Sequence, residues 1–192
     1  IIGLGNPGRR YAGTRHNVGY EVVNVLRRRW RAGEGRKAFG GRYFDARVER
    51  AGCSRRVGLL APETYMNRSG RAAAEMVGFY KADREDVLVV LDDMALPVGA
   101  IRARAEGSAG GHKGLADVIS ALGGEQVPRL RVGIGAANGE GEAVNYVLSR
   151  FEPEEQRAME HAIGRAADAA EDWVFRGIEY VMNEYNRKDK SP

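Results

Sequence analysis

The chain alternates short apolar runs with amphipathic stretches. Strand-like runs cover Ile1–Gly5, Arg42–Glu49, Val57–Ala61, Val87–Leu91, Ala100–Ala105 and Arg129–Ile134. RYFDARVE and AIRARA alternate apolar with polar residues, which predicts strands with one solvated face. VLVVL, at Val87–Leu91, is apolar throughout, as a strand covered on both sides must be. Helical periodicity occupies Asn17–Trp30, Arg68–Tyr80, His112–Leu122, Glu142–Leu148, Glu154–Phe175 and Ile178–Tyr185. Val18, Val22, Val25 and Leu26 share one face of the first helix; Ala72, Ala73, Met76, Val77 and Tyr80 share one face of the second. Pro153 before an acidic first turn marks a helix start, and Gly177 separates the last two helices. Interleaved strands and helices predict an α/β fold, a central mixed β-sheet flanked by helices. Without repeats or a linker, residues 1–192 are expected to form a single globular domain, with the polar tail 187–192 frayed.

Composition narrows the classes. With 43% hydrophobic and 29% charged residues, the 192-residue chain can bury a core. One cysteine, Cys53, leaves no disulfide framework and no cysteine zinc site, and suits a reducing, cytoplasmic compartment. No apolar run approaches the roughly 20 residues of a membrane span. The opening IIGLGNPG reads as a buried strand and turn, not as a secretion signal. A net charge of +4, carried mostly by arginine, suits a phosphate-bearing partner. A G+C-rich genome would enrich arginine equally, so the placement of the arginines must carry that argument.

Five stretches could hold chemistry. GLGNPG matches the G-x-G-x-x-G spacing of a dinucleotide turn at Gly3, Gly5 and Gly8, but that motif needs a helix starting inside it. RRYAGTRHN follows instead, without apolar period, and no acidic residue closes a second strand about 20 residues on. His16 is a candidate general base, although a lone histidine is more often a surface or core residue. Asp92 and Asp93 end an apolar strand, at the rim where α/β sites collect; they could form a turn with Pro97 and Gly99 or orient a histidine. Asn67, in PETYMNRSG, could cap the next helix or offer an uncharged oxyanion donor. GSAGGHKGL places Gly107, Gly110 and Gly111 before a helix start, a possible anion cradle with Lys113, though not a Walker loop. Same-face arginine pairs on two strands, Arg102 with Arg104 and Arg129 with Arg131, make a possible phosphate track; a solvated charged face is the plainer reading.

Together, GLGNPGRRYAGTRHNVG, PETYMNRSG, DDMALPVGAIRARAEGSAGGHKGL and RLRVGIG resemble, in order and spacing, the motifs of bacterial peptidyl-tRNA hydrolase along nearly the whole chain. The resemblance implies a monomeric α/β enzyme, without metal or cofactor, that cleaves the ester between a peptide and the terminal ribose of tRNA. It places His16 on the catalytic histidine and Asp92, rather than Asp93, on the aspartate that pairs with it. Asn6 and Asn67 fall on the two asparagines that hold water or the peptide. Tyr11, Met66 and Gly111 fall on substrate-contact positions, with His112 and Lys113 beside them. Arg104 and Arg131 fall on basic positions linked to tRNA phosphate, next to Arg102 and Arg129. Lys113 departs from the family's usual asparagine, and lysine can only donate. That departure leaves room for a plant organelle intron-splicing factor of similar sequence, which binds RNA and a protein partner without hydrolysis.

Overall fold

A computed structural model describes residues 1–137 and 141–187, so most of the tail expected to fray lies outside the described residues. Among the described residues there are seven strands: β1 Ile2–Gly3, β2 Arg36–Ala38, β3 Gly41–Arg50, β4 Cys53–Pro62, β5 Val89–Asp93, β6 Ile101–Arg104 and β7 Arg129–Gly133. The helices are α1 Val18–Arg29, α2 Ser69–Tyr80, α3 Lys113–Leu122, α4 Ala143–Leu148 and α5 Pro153–Tyr185. Gly177, at φ 78°, breaks the helical backbone inside α5, where the sequence places the boundary between two helices.

The strands form one mixed sheet in the order β2-β3-β4-β1-β5-β7-β6. The central neighbours of β1, β4 and β5, run parallel to it, as does β7 to β5. The flanks, β2-β3-β4 and β7-β6, are antiparallel. Alternation sends side chains to two cores. Phe44, Val90 and Val132 join the cluster that includes Val22, Leu26 and Ala166. Their neighbours Tyr43, Val89 and Leu91 join Met76, Leu115 and Val118 on the other face.

Three elements differ from the expectation for physical reasons. β2 is a short polar edge strand, RKA, with no apolar signal to announce it. The β3–β4 hairpin extends to Arg50 and Cys53 because its outer end is a solvated ribbon, with residues 53–56 exposed. Val87 and Leu88 are buried, yet pairing in β5 begins only at Val89. At the other edge, Asn186 closes β6: its amide accepts from Ala103 N at 2.7 Å and donates to Ala103 O at 2.9 Å, replacing a neighbouring strand.

The glycines of GLGNPG serve helix packing. A Cβ on Gly3 would lie 2.1 Å from Gly19 O, and one on Gly19 would lie 2.5 Å from Leu4 N, Leu4 O and Val90 O. Backbone therefore rests on backbone where α1 crosses β1. This contact sets residues 15–17, just ahead of α1, beside the C-terminal ends of β1 and β5, where ligands of parallel sheets collect. Replacing Gly19 by alanine is expected to lower stability by about 3 kcal/mol or more, the upper range for overpacking against rigid backbone. Urea unfolding measures it, and a loss below about 1 kcal/mol would show that α1 is not seated this way.

Candidate active site

Asp92, at the end of β5, is 3% exposed. A carboxylate so buried needs donors. His16 Nδ1 lies 2.8 and 2.9 Å from its two oxygens, and His112 Nε2 lies 3.0 Å from Oδ1. The two imidazoles sit with ring centroids 5.1 Å apart. Their roles differ. His112 caps α3, its Nδ1 accepting the Leu115 amide at 3.1 Å, so its ring proton stays on Nε2 and points at Asp92. His16 gives its Nδ1 proton to Asp92, which leaves the Nε2 lone pair without a partner among the described residues. Burial alone would push the Asp92 carboxyl up; the hydrogen bonds from His112 and His16 and their electrostatic attraction overturn that and hold it well below the ordinary 3.8.

His16, Asp92 and His112 also lie close enough to share an ion, their donor atoms all within 4.8 Å of one another. The donor chemistry fits poorly. A metal at His112 Nε2 would displace the proton that the Leu115 amide fixes there, whereas a ligating histidine normally donates from its other nitrogen.

The turn carrying His16 is held on both sides. Arg15 is buried, bonding both oxygens of Glu155 at 3.1 and 2.6 Å and Ile134 O at 3.1 Å. Its guanidinium lies between the rings of Tyr146, at 4.4 Å, and Phe151, at 4.7 Å. Asn17 clamps the backbone of Asn6, accepting from its N at 2.8 Å and donating to its O at 3.0 Å. The Asn6 side chain accepts the Met66 amide at 2.9 Å, which directs its NH2 group elsewhere, with no partner among the described residues.

Asn67 is exposed on a 3-10 turn, Met66–Arg68, and does not cap α2. Asp117 of α3 takes that place, accepting from Gly70 N at 2.6 Å. Asn67 is thereby left with both ends of its amide free of partners among the described residues. Met66 is buried, and its sulfur would be 2.4 Å from a Cβ on Gly114, so it packs the floor between α2 and α3. Gly111 and Lys113 are exposed on either side of His112. Tyr11 is half-buried under the Arg10 guanidinium, on the turn after Asn6.

The peptidyl-tRNA hydrolase family model matches residues 1–192. The chain belongs to the peptidyl-tRNA hydrolase family. Curated peptidyl-tRNA hydrolases similar to it include that of Rhodopirellula baltica, 44% identical over 97% of this chain and 96% of the relative. That of Synechococcus sp. (strain JA-3-3Ab) is 46% identical over 100% of this chain and 84% of its own length. The crystal structure of peptidyl-tRNA hydrolase from Acinetobacter baumannii superposes with a TM-score of 0.87 at 34% identity, covering 97% of this chain and 93% of that one.

The four arginines of this family member do not form a uniform track. In the β6–β7 ladder Arg102 stands opposite Arg131 and Arg104 opposite Arg129. Arg129 corrects the expectation of a phosphate contact. It is 2% exposed, and its guanidinium donates to the carbonyls of Val127, Gly107, Ser108 and Glu125. Four carbonyls consume the donor fork, and Arg129 pins the loops on either side of α3. Arg131 is partly exposed and ion-paired with Asp93. Arg102 is half-buried and Arg104 exposed. Sequence reasoning missed Asn17, Asp117 and the His112–Asp92 bond, partnerships that span 11, 47 and 20 residues.

Because the Asp92 carboxyl is depressed in the folded protein, its stabilising share is fully present above the unfolded value and is lost as pH falls towards the folded one. The stability advantage of the unsubstituted protein over Asp92→Asn should therefore shrink as pH drops below about 4. Urea unfolding across acid pH reads this, and an advantage unchanged down to about pH 3 would contradict it.

Proposed function

We propose that this chain hydrolyses the ester joining a peptide to the terminal ribose of tRNA, with His16 as general base. The observation that carries the reading is the hydrogen bond from His16 Nδ1 to buried Asp92, which leaves Nε2 free to take a proton. An aminoacyl ester is already activated, so attack by water needs neither a covalent nucleophile nor a metal. His16 Nε2 removes a proton from water as its oxygen bonds to the ester carbonyl carbon. Asp92 holds the ring tautomer and stabilises the imidazolium. The uncommitted amides of Asn6 and Asn67 place the water and donate to the oxyanion. On collapse the bond to the ribose oxygen breaks, and that oxygen takes the proton back from His16.

Tyr11, Gly111 and the chain near His112 contact the peptidyl end in this reading, with Met66 as packed support. Arg102, Arg104 and Arg131 face the phosphates. Among the described residues no helix is long and apolar enough to cross a membrane. We read the protein as a cytoplasmic monomer acting on peptidyl-tRNA.

His16→Ala should lower kcat by at least about 100-fold in a peptidyl-tRNA hydrolysis assay while tRNA binding persists. Turnover near that of the unsubstituted protein removes His16 from the role. An unsubstituted protein that binds tRNA but releases no peptide would replace hydrolysis by an RNA-binding function. Lys113 gives a second test. It is the first residue of α3, where a cation opposes the helix dipole. Lys113→Ala should raise stability by a few tenths of a kcal/mol yet raise KM, because the lysine donates to substrate. Unchanged KM and tRNA affinity would remove Lys113 from the site.

A further inference from the structure

The two carboxylates that end β5 face different neighbours. Asp92 is enclosed by the histidines. Asp93 points to the opposite face of the strand, where its Oδ2 accepts from Arg131 Nε and its Oδ1 accepts the Ala95 amide at 2.7 Å. The terminal nitrogens of Arg131 have no partner among the described residues. Arg131 stands directly across the ladder from Arg102. Like charges in that relation destabilise a sheet, so the pairing is a standing strain that an anion relieves. The Arg131–Asp93 pair is not sealed, its side chains being 22% and 13% exposed.

We propose that Asp93 is an internal stand-in for RNA phosphate: it holds Arg131 extended and partly neutralised in the free protein, and an incoming phosphate takes over part of that role. Asp93 thus sets tRNA affinity below what the arginines alone would give. The inference rests on the tRNA reading of Arg102, Arg104 and Arg131. Two effects of the carboxylate oppose each other. As an anchor it orders a long side chain, which favours binding; as a charge it repels the phosphate. Asparagine is nearly isosteric and can still accept from Nε or from Ala95, so Asp93→Asn retains one of the two bonds and deletes the repulsion. The charge effect therefore wins in that variant. A hydrolase also has to release deacylated tRNA, and excess affinity would retain it.

Equilibrium binding of deacylated tRNA at several salt concentrations is the test, because it does not depend on hydrolysis. Asp93→Asn should bind roughly 3- to 10-fold tighter at low salt, with the slope of log K against log salt steeper by about 1. Most of the gain should vanish when Arg131→Gln is added. In multiple turnover KM should fall, and kcat should fall with it if release limits the cycle. A carboxylate that merely relieves the Arg102–Arg131 repulsion predicts a lower Tm with affinity and salt slope unchanged; that result, or weaker binding, overturns the proposal. If Asp93→Asn does not fold, Asp93→Ser, whose hydroxyl can still accept the Ala95 amide, is read in the same assay by the same criteria. An unsubstituted protein that binds no tRNA overturns the tRNA reading and this inference together. Normal binding with no gain in the variant overturns this inference alone.

Discussion

A carboxylate taken out of water must be surrounded by donors, and much of this site follows from how Asp92 meets that demand. Its donors come from His16, 76 residues earlier, and His112, 20 residues later. Each arrives on a differently constrained piece of chain. His112 is fixed by the helix it caps, so its tautomer is set by backbone geometry. His16 is fixed from below by Arg15 and by the Asn17 clamp, yet its outer nitrogen is uncommitted. Two histidines on one carboxylate therefore have unequal freedom. One is committed at both ring nitrogens, and the other keeps Nε2 without a partner among the described residues.

That division also explains what the sequence discloses and what it withholds. Periodicity finds the interior elements because burial writes itself into the spacing of apolar residues: VLVVL, the alternation from Arg42, and the face of Val18, Val22 and Leu26 all become core. It misses RKA, a polar edge strand defined only by its hydrogen bonds to β3. Strand order is equally silent, since β1, the shortest parallel strand, lies mid-sheet between segments about 60 and 90 residues away. Within the site, residue type and motif suffice to nominate His16, Asp92, Asn6 and Asn67. The supports are another matter. Nothing local in HNVG says that Asn17 will hold Asn6, or in LADV that Asp117 will cap a different helix. Those partners exist only after the chain has folded, because each satisfies a backbone group that belongs to another element.

The arginines show the limit of reading faces from alternation alone. Arg102, Arg104, Arg129 and Arg131 do share a face, as their spacing predicts. Sharing a face is not sharing an environment. Loops on either side of α3 close over Arg129, and burial, which lowers its pKa, is compensated by a ring of carbonyls. Arg131, two residues further along β7, stays within reach of solvent and finds a carboxylate instead. The difference between the enclosed Arg129 and the accessible Arg131 lies in the loops, which carry no periodic signal.

GLGNPG shows the same division within six residues. The dinucleotide reading assigns its glycines to a pyrophosphate, and close backbone approach is indeed what they provide. The partner brought close is α1, through Gly19, so the space a phosphate would need is filled by helix backbone. Seating α1 that low brings the turn before it, with His16, level with the end of β5, while Gly8, at φ 102°, reverses the chain after Asn6. A larger residue at Gly3 would lift the helix and with it the imidazole, away from a carboxylate that accepts at 2.8 Å and would keep only the bond from His112. The glycines thus set the geometry around His16 through helix packing, and Asn6 is the residue of the motif whose side-chain NH2 stays uncommitted among the described residues.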